Sequence, residues 1–131
     1  MIKKASHEDI PEIINLVESL VQSIEGPQRV CRLKTGETIA GLINDPSGVV
    51  FISKGGFIAG CIVRTVISNA PVSVELGWHA NDKSGLRLLS SFENWSAEMG
   101  ATLIKVSCKG GSAEEILRRR GYRLAETNWV R

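Results

Sequence analysis

The run VVFISKGGFIAGCIVRTVIS, residues 49–68, constrains the fold more than any other stretch of the chain. Two β-branched and aromatic runs flank Lys54-Gly55-Gly56, the arrangement of a hairpin closed by a glycine-rich turn. Asn69-Ala70-Pro71 makes a second turn, after which VSVELGW (72–78) supplies a third strand. A chain holding this meander must cover both faces of the resulting sheet, so the remaining segments must supply helices able to do so.

Helical spacing occurs on either side of the meander. After a short opening strand in MIKKA, Ser6 or Asp9 caps a helix whose first turn tolerates Pro11. Ile10, Ile13, Ile14, Val17, Leu20, Val21 and Ile24 give that helix one apolar face. A second helix is expected over Thr35–Asn44 with Ile39, Leu42 and Ile43 inward, stopped by Asp45-Pro46-Ser47-Gly48. Beyond the meander, Leu86, Leu89, Phe92, Trp95 and Met99 mark a third helix, and TLIKVSC (102–108) reads as a strand. Ser112 with Glu115 forms a capping box for a last helix that ends at Gly121, and YRLAETNWV (122–130) reads as a closing strand. The expected order is β-α-α-β-β-β-α-β-α-β, an α/β chain with a mixed sheet and helices on its faces.

Composition excludes several classes. At 131 residues the chain is expected to be one domain, 1–131, and its net charge of +2 gives no argument for nucleic acid. Cys31, Cys61 and Cys108 are odd in number and far apart, with no C-x-x-C or Cys/His cluster, so neither a metal site nor a disulfide framework is expected. Reduced thiols, no leader-like start and no apolar run longer than Phe57–Val63 suit a cytoplasmic protein with no membrane segment.

This order resembles the GCN5-related N-acetyltransferase (GNAT) family over essentially the whole chain. IKKASHEDIPEIINLVESL is similar to that family's first strand and helix, and DPSGVVFISKGGFIAGCI to its second and third strands. ELGWHANDKSGLRLL falls where the family keeps its acetyl-CoA site, and ILRRRGYR resembles its closing helix. The resemblance implies an acyl-CoA N-acyltransferase fold, acetyl-CoA (CoA) as cofactor, and an amine on a small molecule or a protein as acceptor.

On that reading the helix N-terminus after residue 84 faces the cofactor's pyrophosphate, because free N–H groups and the positive end of the helix dipole gather there. Gly85 permits close backbone approach, Ser84 offers a hydroxyl, and Lys83 and Arg87 offset phosphate charge. Leu86 completes the first turn, and the backbone of Leu76, Gly77 and Trp78 is implied to bind the pantetheine arm as an added strand. Ser107 and Cys108 on the facing strand line the other side. Aligned on Gly85, the family's loop pattern Gln/Arg-x-x-Gly-x-Gly/Ala is matched at its end only, with Lys83 at the first glycine and Ala80 at the Gln/Arg.

For the chemistry, Glu75 occupies the strand position that resembles the family's general base, and His79 is a second candidate by its intrinsic pKa. The family's usual acid, a tyrosine four residues before the helix-ending glycine, is replaced by Leu117. Tyr122 is expected as a packed ring, Trp78, Trp95 and Trp129 as packing residues, and Arg118–Arg120 mostly as a solvated face. Two functions stay open: an N-acetyltransferase, and a catalytically degenerate relative that binds acyl-CoA or a protein. The closing segment offers one strand where the family usually has two, and a homodimer is the expected cover for an edge left open.

Overall fold

A computed structural model describes residues 1–131. The strands are β1 (Lys3–Lys4), β2 (Gly48–Ser53), β3 (Gly56–Val63), β4 (Val72–Ala80) and β5 (Leu103–Lys105). The helices are α1 (Ile10–Ile24), α2 (Arg32–Asn44), α3 (Gly85–Glu98) and α4 (Gly111–Arg119), with one 3-10 turn at His7–Asp9. The sheet order is β1-β2-β3-β4-β5, antiparallel throughout except for the parallel pair β4–β5. The meander forms as its pattern requires: Lys54-Gly55 close the β2–β3 hairpin, with Ser53 opposite Gly56.

Alternation in the strands feeds two cores. Val50, Ile52, Phe57 and Ala59 point toward α1 and α2 and pack on Ile13, Leu16 and Ile39. Val49 and Ile58 point the other way, onto Leu88, Leu89, Phe92, Trp95 and Leu117 of α3 and α4. Central strands buried on both faces therefore read as unbroken apolar runs. Gly60 is required by one of these contacts, since a Cβ there would lie 2.6 Å from the Val74 carbonyl and collide with the Phe92 ring.

Several expected boundaries shift. α2 begins at Arg32 rather than Thr35. The buried face of α3 is Leu88, Leu89, Phe92, Trp95 and Ser96, while Leu86 and Met99 are exposed at its two ends. In α1 the buried pair is Ile13 and Leu16. α4 starts at Gly111 with no side-chain cap, so Ser112 and Glu115 form no capping box. It ends as expected: Gly121 adopts φ +87, its N–H bonds Arg118 O, and the Tyr122 N–H returns to Leu117 O.

The closing strand over 122–130 does not form. No residue after Tyr122 takes part in a backbone–backbone hydrogen bond, so strand propensity there has no ladder to satisfy. Trp129, expected to pack, is accordingly 90% exposed. No helix is long and apolar enough to cross a membrane.

Candidate active site

The parallel pair β4–β5 is short, and the site begins where it stops. Val72, Ser73 and Val74 pair with Leu103, Ile104 and Lys105, after which β4 continues alone on that side from Glu75 to Ala80. Pairing with β3 also changes at this point. Ala59 faces Gly77 and Gly60 faces Glu75, leaving Leu76 as the extra residue of a β-bulge. Leu76 is 55% exposed. The bulge and the parting of the strands leave Leu76–Trp78 without a partner strand on the β5 side, along a wedge of the kind an added-strand ligand needs. Ser107 and Cys108 lie past the end of β5, not on it, and Cys108 is exposed.

Glu75 stands at the closed end of this wedge. It is buried rather than turned outward, and its Oε1 accepts one hydrogen bond, from the Ser107 N–H at 2.9 Å. Burial disfavours the charged form and pushes its carboxyl up to about 7, with the Ser107 amide opposing the rise. A carboxyl balanced near neutrality accepts and returns a proton readily. His79 lies four residues on, roughly 10–13 Å along an extended strand. It sits opposite Phe57, and its Nε2 is buried without a hydrogen-bond partner. The structure thus brings Glu75 and His79 to opposite ends of the unpaired stretch of β4, where one reacting atom cannot reach both.

At the far end of the wedge lies the loop before α3. Ser84 is fully buried, and its hydroxyl is engaged by Asp82 and by Ser53 Oγ at 2.8 Å. It is therefore not free to meet a phosphate. Asp82 holds the loop: Oδ2 accepts from the Gly55 N–H and the Ser53 hydroxyl, both at 2.9 Å, and Oδ1 accepts from the Ser84 hydroxyl and its N–H. These donors, the Ser84 hydroxyl foremost, hold the Asp82 carboxyl well below the usual carboxylate range.

No side chain caps α3, and the N–H groups of Gly85, Leu86 and Arg87 have no protein acceptor. Lys83 and Arg87 are exposed beside them. Lys83 adopts φ +64, a conformation that favours glycine, at the position where the family pattern carries one. The Trp78 indole N–H donates to Gly85 O at 3.0 Å and braces the turn. A Cβ on Gly85 would meet nothing nearer than 3.8 Å. The residues present fit an anionic, extended cofactor with its phosphates at α3 and its arm along β4.

No group replaces the missing acid. Leu117 is buried in the core. The Tyr122 hydroxyl donates to Glu93 Oε2 at 2.9 Å, and burial together with that carboxylate raises it well above the phenol range. The arginines are largely structural: Arg118 and Arg119 pair with Glu114 and Glu115 one turn back, and Arg120 pairs with Glu93. Sequence reasoning missed Asp82 and the bulge. The signal for Asp82 was its place two residues before Ser84, the spacing of an Asx turn. For the bulge there was only the pair Gly60 and Gly77.

No protein-family model matches the chain, and no curated protein matches it in sequence. Solved structures do match in shape. An aminoglycoside N-acetyltransferase in complex with CoA superposes with a TM-score of 0.76 at 11% identity, covering 100% of this chain and 92% of that one. An aminoglycoside acetyltransferase from an uncultured soil metagenomic sample, in complex with sisomicin, gives 0.68 at 16%, covering 100% and 92%. A transcriptional regulator from Bacillus halodurans gives 0.79 at 11%, covering 100% and 97%. Identities this low speak to architecture, and architecture does not by itself carry activity. The wedge, the bulge and the uncapped helix lie within a shape shared along the whole chain, which therefore has the fold of the GCN5-related N-acetyltransferases.

Proposed function

We propose that this protein is an acetyl-CoA-dependent N-acetyltransferase that moves the acetyl group directly to a primary amine. The observation that carries the reading is Glu75, a buried carboxyl balanced near neutral pH beside the bulge at Leu76. The N–H groups of α3's first turn, with Lys83 and Arg87, would hold the phosphates, and the backbone of Leu76–Trp78 the pantetheine arm. Bound there, acetyl-CoA supplies an activated acetyl thioester. Glu75 then takes the proton that the incoming ammonium must lose, directly or through one water. Backbone N–H groups at the bulge polarise the carbonyl. With Leu117 in the place of a dedicated acid, the chain would offer the leaving sulfur no proton donor, and a thioester's thiolate would need none. His79 lies too far along β4 to share this role, and a cytoplasmic location suits a protein that draws on acetyl-CoA.

The apolar Leu117 and the engaged Ser84 hydroxyl favour a second reading, a module that binds acyl-CoA without turnover. Isothermal titration with acetyl-CoA and CoA, on the wild type and on Gly85→Trp, tests what the two readings share. A Cβ at Gly85 meets nothing nearer than 3.8 Å, and a thermal melt checks that the variant folds, so micromolar binding that the tryptophan abolishes in a folded variant supports the cradle. Absence of binding at millimolar cofactor overturns both. A screen of amines for release of free thiol then separates the enzyme from the module.

A further inference from the structure

On the N-acetyltransferase reading, on which this inference rests, we propose that the acceptor is an alkyl diamine or longer polyamine whose second ammonium binds at the end of α1. In the structure the side chain of Lys109 fills that place.

An alkylammonium is thus already bound beside the wedge. α1 ends in a left-handed turn at Glu25, φ +52, whose N–H goes to Gln22 O while the Gly26 N–H goes to Val21 O. The Ser23 hydroxyl donates to Leu20 O. No backbone N–H reaches Ile24 O. Lys109 Nζ donates to that carbonyl at 2.7 Å and lies 3.5 Å from Glu25 Oε2. A free carbonyl at a helix C-terminus, with a carboxylate beside it, suits a cation.

The place lies at the reacting end of the wedge. Lys109 follows Ser107 by two residues, at most ~7 Å of backbone, and the Ser107 N–H is bonded to Glu75. α1 runs beside the stretch of β4 that has left β5: a Cβ on Gly77 would lie 3.8 Å from Leu20 Cδ2, one turn before Ile24. Lys109 therefore crosses from the continuation of β5 to α1 near Glu75, away from the phosphate end at α3. Its side chain and that of Glu25 are 58% and 86% exposed, so a cation from solution can compete for the place. An exposed ion pair of this kind is weak and readily exchanged. A lysine side chain is itself a flexible alkylammonium, and a diamine arm of similar build replaces it.

In the transfer, the reacting nitrogen loses one proton to Glu75 before attack and a second to solvent as the amide forms. Its new C–N bond replaces the C–S bond, and the sulfur leaves as a thiolate. The other nitrogen stays protonated on Ile24 O and Glu25.

The test compares acetylation of α,ω-diaminoalkanes of four to eight carbons with that of the monoamine of each length. Wild type, Glu25→Gln and Lys109→Met are measured. In wild type the best diamine should show a kcat/KM roughly fivefold above its monoamine, the advantage a helix C-terminus and an exposed carboxylate together give a cation. Glu25→Gln should lower that ratio. Lys109→Met removes the competitor and should lower KM for diamines but not for monoamines, whereas loss of a merely structural tie moves both alike. Displacement is also read without turnover, from the Lys109 Cε signal of protein carrying isotope-labelled lysine, which should shift as millimolar diamine is added. A diamine that leaves this signal in place overturns the proposal. So does turnover with equal kcat/KM for the two amine classes, or a diamine advantage that Glu25→Gln leaves intact, and in both cases the N-acetyltransferase reading stands. Displacement of Lys109 without acetylation of any amine overturns that reading instead and keeps only the ammonium site.

Discussion

Two carboxylates flank the part of β4 that has left β5, and they are treated in opposite ways. Asp82, at the loop end, collects four hydrogen bonds and is held firmly ionised. Glu75, at the bulge end, is buried with a single amide donor and is driven toward its neutral form. A carboxylate whose acceptor sites are filled organises its surroundings and has no appetite for a proton. One that is desolvated and barely bonded retains that appetite, at a cost in stability. The contrast separates framework from chemistry within one strand and its loop.

The sharpest way to break the contrast is Glu75→Gln. It keeps the shape and the acceptor for Ser107 but removes the proton site, so kcat should fall by about 10²–10⁴ while CoA affinity holds. The same variant reads out the cost of burial. The native carboxyl, near 7, binds its proton more tightly than the unfolded chain at its ordinary 4.5. Wild-type stability should therefore decline as pH rises from 4.5 to 7 and level off above, by on the order of 3 kcal/mol. Urea melts should find Glu75→Gln more stable than wild type at pH 8 and equal to it at pH 4. A variant equal at both would mean that Glu75 is hydrated and ordinary.

Asp82→Ala tests the other end. Removing it strips the buried Ser84 and the Gly55 N–H of a partner and should lower stability by about 1–2 kcal/mol, with weaker CoA binding. Because the Asp82 pKa is depressed, its contribution is present above the ordinary aspartate range and is lost on acidification, the reverse of Glu75. The melts of wild type and Asp82→Ala should thus converge at low pH.

The smallest effect is expected for Lys83→Gly. It relieves a left-handed lysine, raising stability by about 0.5–1 kcal/mol. It also removes a cation beside the helix N-terminus, so CoA binding should weaken a few-fold and become less salt-dependent. Stronger binding would argue that the lysine points away from the phosphates.

Much of this was legible in the residues because it is local. The hairpin at Lys54-Gly55, the αL stop at Gly121 and the inward Ile39 follow from turn chemistry and spacing. The parts that were not legible depend on other segments. The buried face of α3 includes Leu88 because of where the sheet lies, and spacing alone admitted Leu86 equally well. Whether YRLAETNWV is a strand depends on an edge that its own sequence does not supply. Glu75 was located by its strand position, but its burial follows from the bulge and from Ser107, which the sequence placed on a strand that ends two residues earlier. The Ser84 hydroxyl was misjudged because Asp82 takes its proton and Ser53, 31 residues before it, closes over its oxygen.

The tether at Asp82 has a consequence for the order in which the molecule is built. Its bonds to Ser53 and Gly55 span 29 and 27 residues of chain. Contacts of that span close only after the hairpin and β4 have docked, whereas the first turn of α3 can form early. The loop before α3, the proposed anion cradle, thus sets after the hairpin and after the helix turn it precedes. A nascent or partly opened chain holds the helix without the cradle, and any ligand of the cradle draws the population toward the finished fold.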